Sequence, residues 1–453
     1  MSRPSVAGDI AAQAWPILLG QLAAVASVFI DTAMTGHASA ADLAAMGLGA
    51  GVYSSVFMGL LGVVTALNPI IAHHHGAGRW EAIGASYVQG LWLALLLSAL
   101  GIPILAFPGP WLMRLGAAPD VEALVTSYLR LHALALPAAL MFRATYAFNV
   151  AVSRPKVMMA IQVVGLLLKL VLNYALIFGH FGLPRLGAVG CGLASLIAYW
   201  ALFLMGWAFT RLDSRYRRFV IRRERPRWRA LHEHLTLGIP IGLAYVLEST
   251  SFSFVTLLVT RLGTSVLGGH QIISNLAALA FQIPLALSLA TATLTAQALG
   301  AGDSGQARRT AFTGIRLAVA AASVTAAVLW ALRRGLVGLY TSDGAVAAVA
   351  LSLIGYMVAF HVFDALQAVA AFVLRAHRIV LVPTLIYAVV LWGLGLSGGY
   401  VLAFRPVLGG PRGAAGLWLA QAVALCLTSA LLLGFYLWVL RHRREGMAAA
   451  AAP

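Results

Sequence analysis

Charge is what this chain has least of. Only 10% of its 453 residues are Asp, Glu, Lys or Arg, while 61% are hydrophobic and the mean hydropathy is +0.89. A soluble domain carries about 25% charge, so this scarcity excludes a water-exposed globular fold. Cysteine is nearly absent as well. Cys191 and Cys426 both lie within apolar runs, which excludes a disulfide framework and a cysteine-based metal centre. Lysine is reduced to Lys156 and Lys169, the remaining basic residues being arginine. No Gly-rich nucleotide loop, Ser/His/Asp pattern or HExxH helix is present, so neither ATP-driven work nor intramembrane hydrolysis has support. The chain is expected to be no enzyme and to use no cofactor.

What is present is a succession of long apolar runs. A hydrocarbon core of about 30 Å takes about 20 apolar residues per helix, and runs of that length begin near residues 11, 42, 85, 122, 157, 187, 232, 266, 308, 346, 379 and 413. The expectation is an all-α polytopic membrane protein of twelve helices. The first run is followed by HASA but carries Pro16 and Asp31, so it reads as an uncleaved span rather than a signal peptide.

The basic residues set the orientation. Nine of the 31 fall between Arg211 and Arg229, in the longest hydrophilic loop, which should therefore be cytoplasmic. With helix 1 entering from the cytoplasm, Arg3, Arg79, Arg154, Lys156, Arg308, Arg309, Arg375, Arg378, Arg441, Arg443 and Arg444 join them there. Arg114, Arg185, Arg261, Arg333, Arg334, Arg405 and Arg412 fall on the other side. Both termini are expected to be cytoplasmic, in a plasma membrane (the bacterial inner membrane). The net charge of +17 is then explained by topology and anionic lipid, without a nucleic-acid partner.

The chain also resembles itself. Pro16 and Ile17 match Pro240 and Ile241, and Gly76, Ala77 and Gly78 match Gly300, Ala301 and Gly302, each 224 residues apart. GAVGCGLA from Gly187 matches GAAGLWLA from Gly413, a spacing of 226. The reading is a duplicated six-helix bundle: an N-lobe over 1–210, an Arg-rich inter-lobe linker over 211–230, a C-lobe over 231–441 and a cytoplasmic tail over 442–453. An even number of spans per half makes the two repeats parallel, as in many transporters, with a cavity between two lobes. The linker reads as a solvated tether and the last residues, GMAAAAAP, as a disordered tail. Prolines 16, 69, 137, 240, 284 and 383 in or beside the spans would loosen helices that must bend.

Eleven of the fourteen acids lie at helix ends, in loops or in tails. Asp31, Glu248 and Asp364 do not. A charge at the centre of a spanning helix costs about 2.5–3.5 kcal/mol on insertion scales, so such residues usually carry function. Residues three and four apart share a helix face. Glu248 therefore keeps company with Tyr245, Ser251 and Phe252, and Asp364 with Phe360, His361 and Gln367. Carboxylates beside aromatic rings suit a lipophilic organic cation. Gln271, Asn275 and Gln282, with His270 adjacent, form a polar stripe expected to line the cavity. Lys169 and Asn173 are four apart, and a buried ammonium needs a partner; Asp31 is the only buried acid in that half, so the two are expected to pair in at least one state. His73, His74 and His75 lie before Gly76 in what reads as a loop, and adjacent residues diverge, so no metal site is expected.

These motifs together resemble the multidrug and toxic compound extrusion (MATE) transporters, in their NorM-like branch. The resemblance rests on VFIDTAMTG around Asp31, TALNPIIAHHHGAG from Thr65, LNYALIFGHFGLPRLGAVGCGLAS from Leu172, LESTSFSF around Glu248 and FDALQ around Asp364, in order through both halves. It implies a two-lobed antiporter that exports cationic lipophilic drugs or dyes against an inward flow of Na⁺ or H⁺. It also implies that Glu248 and Asp364 form the C-lobe cation and substrate site, while Asp31 joins Lys169, Asn173 and Ser195 in an N-lobe ion site. Two departures stand out: Lys169 where relatives have an amide, and Phe360 where some have tyrosine. Both count against Na⁺, and with His270 and His361 nearby the coupling ion is expected to be H⁺. A monomer working in the lipid bilayer on small cations is expected. The alternatives are a lipid-linked precursor flippase, which would call for a cationic cavity, a non-transporting scaffold, and a major-facilitator transporter, whose loop motif after helix 2 is replaced here by HHHGAGRWEA.

Overall fold

The computed structural model describes residues 5–109, 112, 119–222, 224–406 and 410–450. Arg3, Arg114, Arg223 and residues 451–453 of the expected tail lie outside the described residues, as do the side chains of Asp120, Arg443, Arg444 and Glu445. Lipid offers no hydrogen-bond partners, so a spanning segment must satisfy its own backbone, and the apolar runs do so as helices. Among the described residues twelve helices are long and apolar enough to cross a membrane, numbered here α1 Val6–Ala38, α2 Ala40–Gly76, α3 Trp80–Ala106, α4 Val121–Ala151, α5 Pro155–Phe178, α6 Gly187–Leu212, α7 Trp228–Leu262, α8 Thr264–Gly300, α9 Ser304–Ala331, α10 Gly344–Ala376, α11 Leu381–Phe404 and α12 Gly413–His442. Large apolar side chains such as Val28, Leu100 and Val389 stand exposed on these helices, as lipid-facing residues would. A short helix, Arg333–Tyr340, follows α9; Arg333 lies 4.4 Å over the Trp330 ring, which suits a membrane–water boundary.

Helix starts are set by caps. Ser39 is extended and accepts from Asp42 N at 3.0 Å, Asp303 accepts from Gln306 N at 2.7 Å, and Asp343 accepts from Ala345 N at 2.7 Å. Asp42 also reaches Ala188 N at 2.7 Å, capping the first turn of α6. Pro16, Pro137, Pro240 and Pro284 sit inside helices. Pro69 has no N–H to give to Thr65, and α2 breaks its ladder at Ala66, three residues before it.

The chain divides into two compact units: Trp15–Gly242 with Gln297–Gly302, and Met1–Ala14 with Leu243–Ala296 and Asp303–Pro453. In the first, α4 packs against α2, α3 and α6. In the second, α10 packs against α9 and α12 around Met357, Phe360, Leu374, Trp418 and Tyr436. The duplication is visible in the backbone. Left-handed conformations fall at Gly78 and Gly302, at Ser153 and Arg378, and at Gly187 and Gly413, at the same 224–226 spacing as the sequence repeat.

Two expectations are corrected. The segment after α6 is no solvated tether. Residues 214–219 form a 3₁₀ helix whose Tyr216 and Phe219 are buried against Phe148. Gln89 accepts from Arg227 N at 2.8 Å and donates to Arg225 O at 2.9 Å. Apolar anchors recurring among the arginines explain the docking. The terminal helix runs on to Ala450, through the alanines at 448–450, alanine being the best helix former, where a disordered tail was expected.

Candidate functional site

In the first unit, Asp31 on α1 meets two residues of α5. Lys169 Nζ donates to Asp31 Oδ2 at 2.6 Å and Asn173 Nδ2 donates to Oδ1 at 2.7 Å. The four-residue spacing of Lys169 and Asn173 puts both on the face that this carboxylate fills. All three are buried, as is Ser195 on α6. Cys191, one turn before Ser195, turns its thiol to Asp31, a neighbour that its position in an apolar run did not reveal. Each charge is thus compensated by its opposite at hydrogen-bonding distance, the condition on which a buried ion pair is tolerated.

In the second unit two acids share one amide. Gln367, one turn after Asp364 on α10, donates Nε2 to Asp364 Oδ1 at 3.1 Å and to Glu248 Oε1 on α7 at 3.4 Å. Those two oxygens therefore lie at most 6.5 Å apart. At an effective dielectric of about 20, two full charges at that distance repel by about 2.5 kcal/mol. Among the described residues the group joining them is a neutral amide, and the one cation whose charge reaches Glu248 is the buried Arg375. The other end of the amide accepts a hydrogen bond from Tyr387 of α11.

Arg375, counted in the sequence among cytoplasmic loop charges, is instead buried in the last turn of α10. It donates to Tyr245 Oη at 3.1 Å and lies over the Tyr245 and Phe372 rings. Its signal was in the sequence, since Asp364, Gln367, Ala371 and Arg375 recur at three- and four-residue steps. Phe252 meets Phe360 edge-on at 5.6 Å, Phe360 meets Trp418 at 5.5 Å, and Trp418 reaches His270 at 5.8 Å. Phe360 is thus a ring in an aromatic row. Trp418 donates to His270 Nδ1 at 3.2 Å, which places the imidazole proton on Nε2, facing Thr256 Oγ1 at 3.1 Å. His361 is buried with Nε2 unpartnered among the described residues.

The amide stripe expected to line a cavity lies on α8. Gln271 and Asn275 are exposed, and Gln282 donates to Ala278 O of its own helix. The three histidines are corrected from loop to helix: they close the last turn of α2, where His75 meets Trp80. Among the described residues no group of three or more His, Cys, Asp or Glu could hold a metal ion.

The family model described as MatE matches this chain twice, over residues 16–175 and 240–401, one match in each sequence repeat. A protein of Aromatoleum aromaticum named "Probable multidrug resistance protein NorM" is 41% identical over 98% of this chain and 96% of its own length. The Multidrug resistance protein PmpM of Pseudomonas aeruginosa is 36% identical over 90% and 87%. Among solved structures, one described as the outward-facing conformation of a multidrug resistance MATE family transporter superposes with a TM-score of 0.87. It covers 99% of this chain and 98% of that one; at 17% identity it is a likeness of fold.

Proposed function

The chain belongs to the MatE family of multidrug efflux transporters, and from that premise we propose that it exports lipophilic organic cations in exchange for H⁺, by alternating access. The observation that carries the reading is the Glu248–Gln367–Asp364 bridge. Two carboxylates held within 6.5 Å by a neutral group favour anything positive that relieves them, whether a proton or a drug, and the two cannot be relieved twice at once. Competition for one site is what couples opposite flows. The row from Phe252 to Phe360 supplies ring faces for an apolar cation.

Asp31 supports the choice of ion. Lys169 and Asn173 already occupy both of its oxygens, and an ammonium at 2.6 Å stands where a metal cation would need to bind. Sodium thus has a poor place in the first unit, whereas a proton needs only one oxygen of Glu248 or Asp364. The charge balance of the loops supports a plasma-membrane location with both termini cytoplasmic.

The test uses purified protein in proteoliposomes loaded with ethidium. An imposed pH gradient without Na⁺ is expected to drive ethidium movement, and a Na⁺ gradient at equal pH is not. Glu248→Gln is expected to abolish ethidium-stimulated proton flux while the protein elutes as the parent does. Parental transport by Glu248→Gln would overturn the mechanism.

A further inference from the structure

Residues Ala388–Gly398 of α11 form a π-helix, 11 residues long, within a membrane span. This stretch bonds to two neighbours of the acid pair, Gln367 and Leu247. At its N-terminal edge the buried Tyr387 donates to Gln367 Oε1, holding the amide whose Nε2 serves both carboxylates. Five residues on, Trp392 donates Nε1 to the carbonyl of Leu247, immediately before Glu248, at 3.1 Å. Its ring also meets Phe254 of the same helix edge-on at 5.3 Å.

The geometry of the helix explains the pairing. On an α-helix, residues five apart fall about 140° apart around the axis and cannot serve one neighbouring site. The i to i+5 ladder of a π-helix brings such residues into line. Ser397 displays the same register, its Oγ donating to Trp392 O five residues back at 3.3 Å. In lipid a π stretch has a further merit: it rotates side chains without leaving backbone groups unbonded. Gly393, Gly395, Gly398 and Gly399 lower the preference for the α form in this stretch.

We propose that the π stretch is the register element of the cation site, with Tyr387 and Trp392 as positioning residues. Tyr387 sets the amide that joins Glu248 to Asp364, and Trp392 sets the turn of α7 that carries Glu248. The proposal rests on the reading of the acid pair as the exchange site. The charged or titratable groups around Tyr387 are Glu248, Arg375, Asp364 and Tyr245.

Four variants test it: Tyr387→Phe, which removes one hydroxyl; Trp392→Phe, which removes one N–H; deletion of Gly393, which shifts the register of the stretch by one residue; and Gly393→Ala, which keeps the register in open space. Ethidium binding by fluorescence and transport in proteoliposomes are measured across pH. Tyr387→Phe and the deletion are expected to weaken ethidium binding about tenfold, the worth of one buried hydrogen bond. KM should rise with the maximum rate held, and the pH midpoint of binding should move. Trp392→Phe should change in the same direction and Gly393→Ala should follow the parent. Parental binding, KM and pH midpoint in both Tyr387→Phe and Trp392→Phe would overturn the inference, and these two decide should the deletion fail to fold. Loss of binding in Glu248→Gln alongside parental Tyr387→Phe and Trp392→Phe would sink this inference alone. Parental behaviour in Glu248→Gln would sink the exchange site with it.

Discussion

The Lys169–Asp31 pair shows how much depends on which partner is removed. Both charges are buried and separated by 2.6 Å. Asp31→Asn leaves an ammonium without its counter-charge, and breaking a buried pair in this way costs about 3–5 kcal/mol. Lys169→Met is expected to destabilise as well, and the double variant to recover much of the loss, because neither charge is then stranded. Thermal unfolding in detergent across this double-mutant cycle checks the point; additive losses would mean that the pair is not a unit. Lys169→Asn, by vacating the ammonium's position, is expected to admit Na⁺ in the proteoliposome assay. The residues in this argument were legible because a charge in an apolar run is conspicuous and a four-residue step fixes a shared face. Tyr387, Trp392 and Trp418 were not legible: each reaches the site from another helix, and no spacing in the chain records which helices become neighbours. Spacing gives Gln271 and Asn275 a shared face, and nothing in spacing says what that face meets.

Elements repeat more faithfully than residues do. Gly78 and Gly302 occupy equivalent turns after α2 and α8 with φ of +67° and +79°, and nothing lies within 4 Å of a Cβ built at either. Alanine there meets only the backbone penalty of the left-handed region, about 1–2 kcal/mol. Gly78→Ala and Gly302→Ala are therefore expected to lower stability by similar amounts, measured as the shift in thermal midpoint. Gly62 and Gly242 differ in kind. A Cβ on Gly62 would strike the backbone of Gly242, and Gly238 sits against Val63 in the same α2–α7 contact. Small residues let helices in lipid approach closely, so Gly62→Leu is expected to cost more than either turn variant and to reduce the yield of folded protein. Hydropathy found every span but placed α1 and α3 five residues late, because it marks the part of a helix in hydrocarbon and not polar first turns such as Trp80–Glu81. The π stretch gave no sign beyond its glycines, since apolar content is the same for either ladder.

At the scale of the molecule the two units, alike in backbone, differ in charge. One holds its acid against a lysine and the other holds two acids against an amide. On the proposed reading the second pair is the one that exchanges, and a direction of transport then depends on which way the whole chain lies in the membrane. The docked Arg-rich segment bears on that orientation. Burial raises the pKa of the Tyr216 phenol above its ordinary value, and the phenol donates to Asn149 Oδ1 at 2.5 Å. Arg154 pairs with Asp213 at 3.4 Å and lies over the Tyr216 ring. The positive charge that decides topology is thus fastened to the loop face of one unit rather than trailing from it. Orientation follows basic residues in short segments near span ends, so Ser214 and Ser342, both exposed and lying between spans on opposite sides by the helix count, report it directly. In a background with Cys191 and Cys426 replaced by serine, Ser214→Cys is expected to react with a membrane-impermeant maleimide only after cells are opened. Ser342→Cys is expected to react in intact cells. The reverse pattern would invert the topology, and the ion gradient assigned to drive Glu248 and Asp364 would then point the wrong way for efflux.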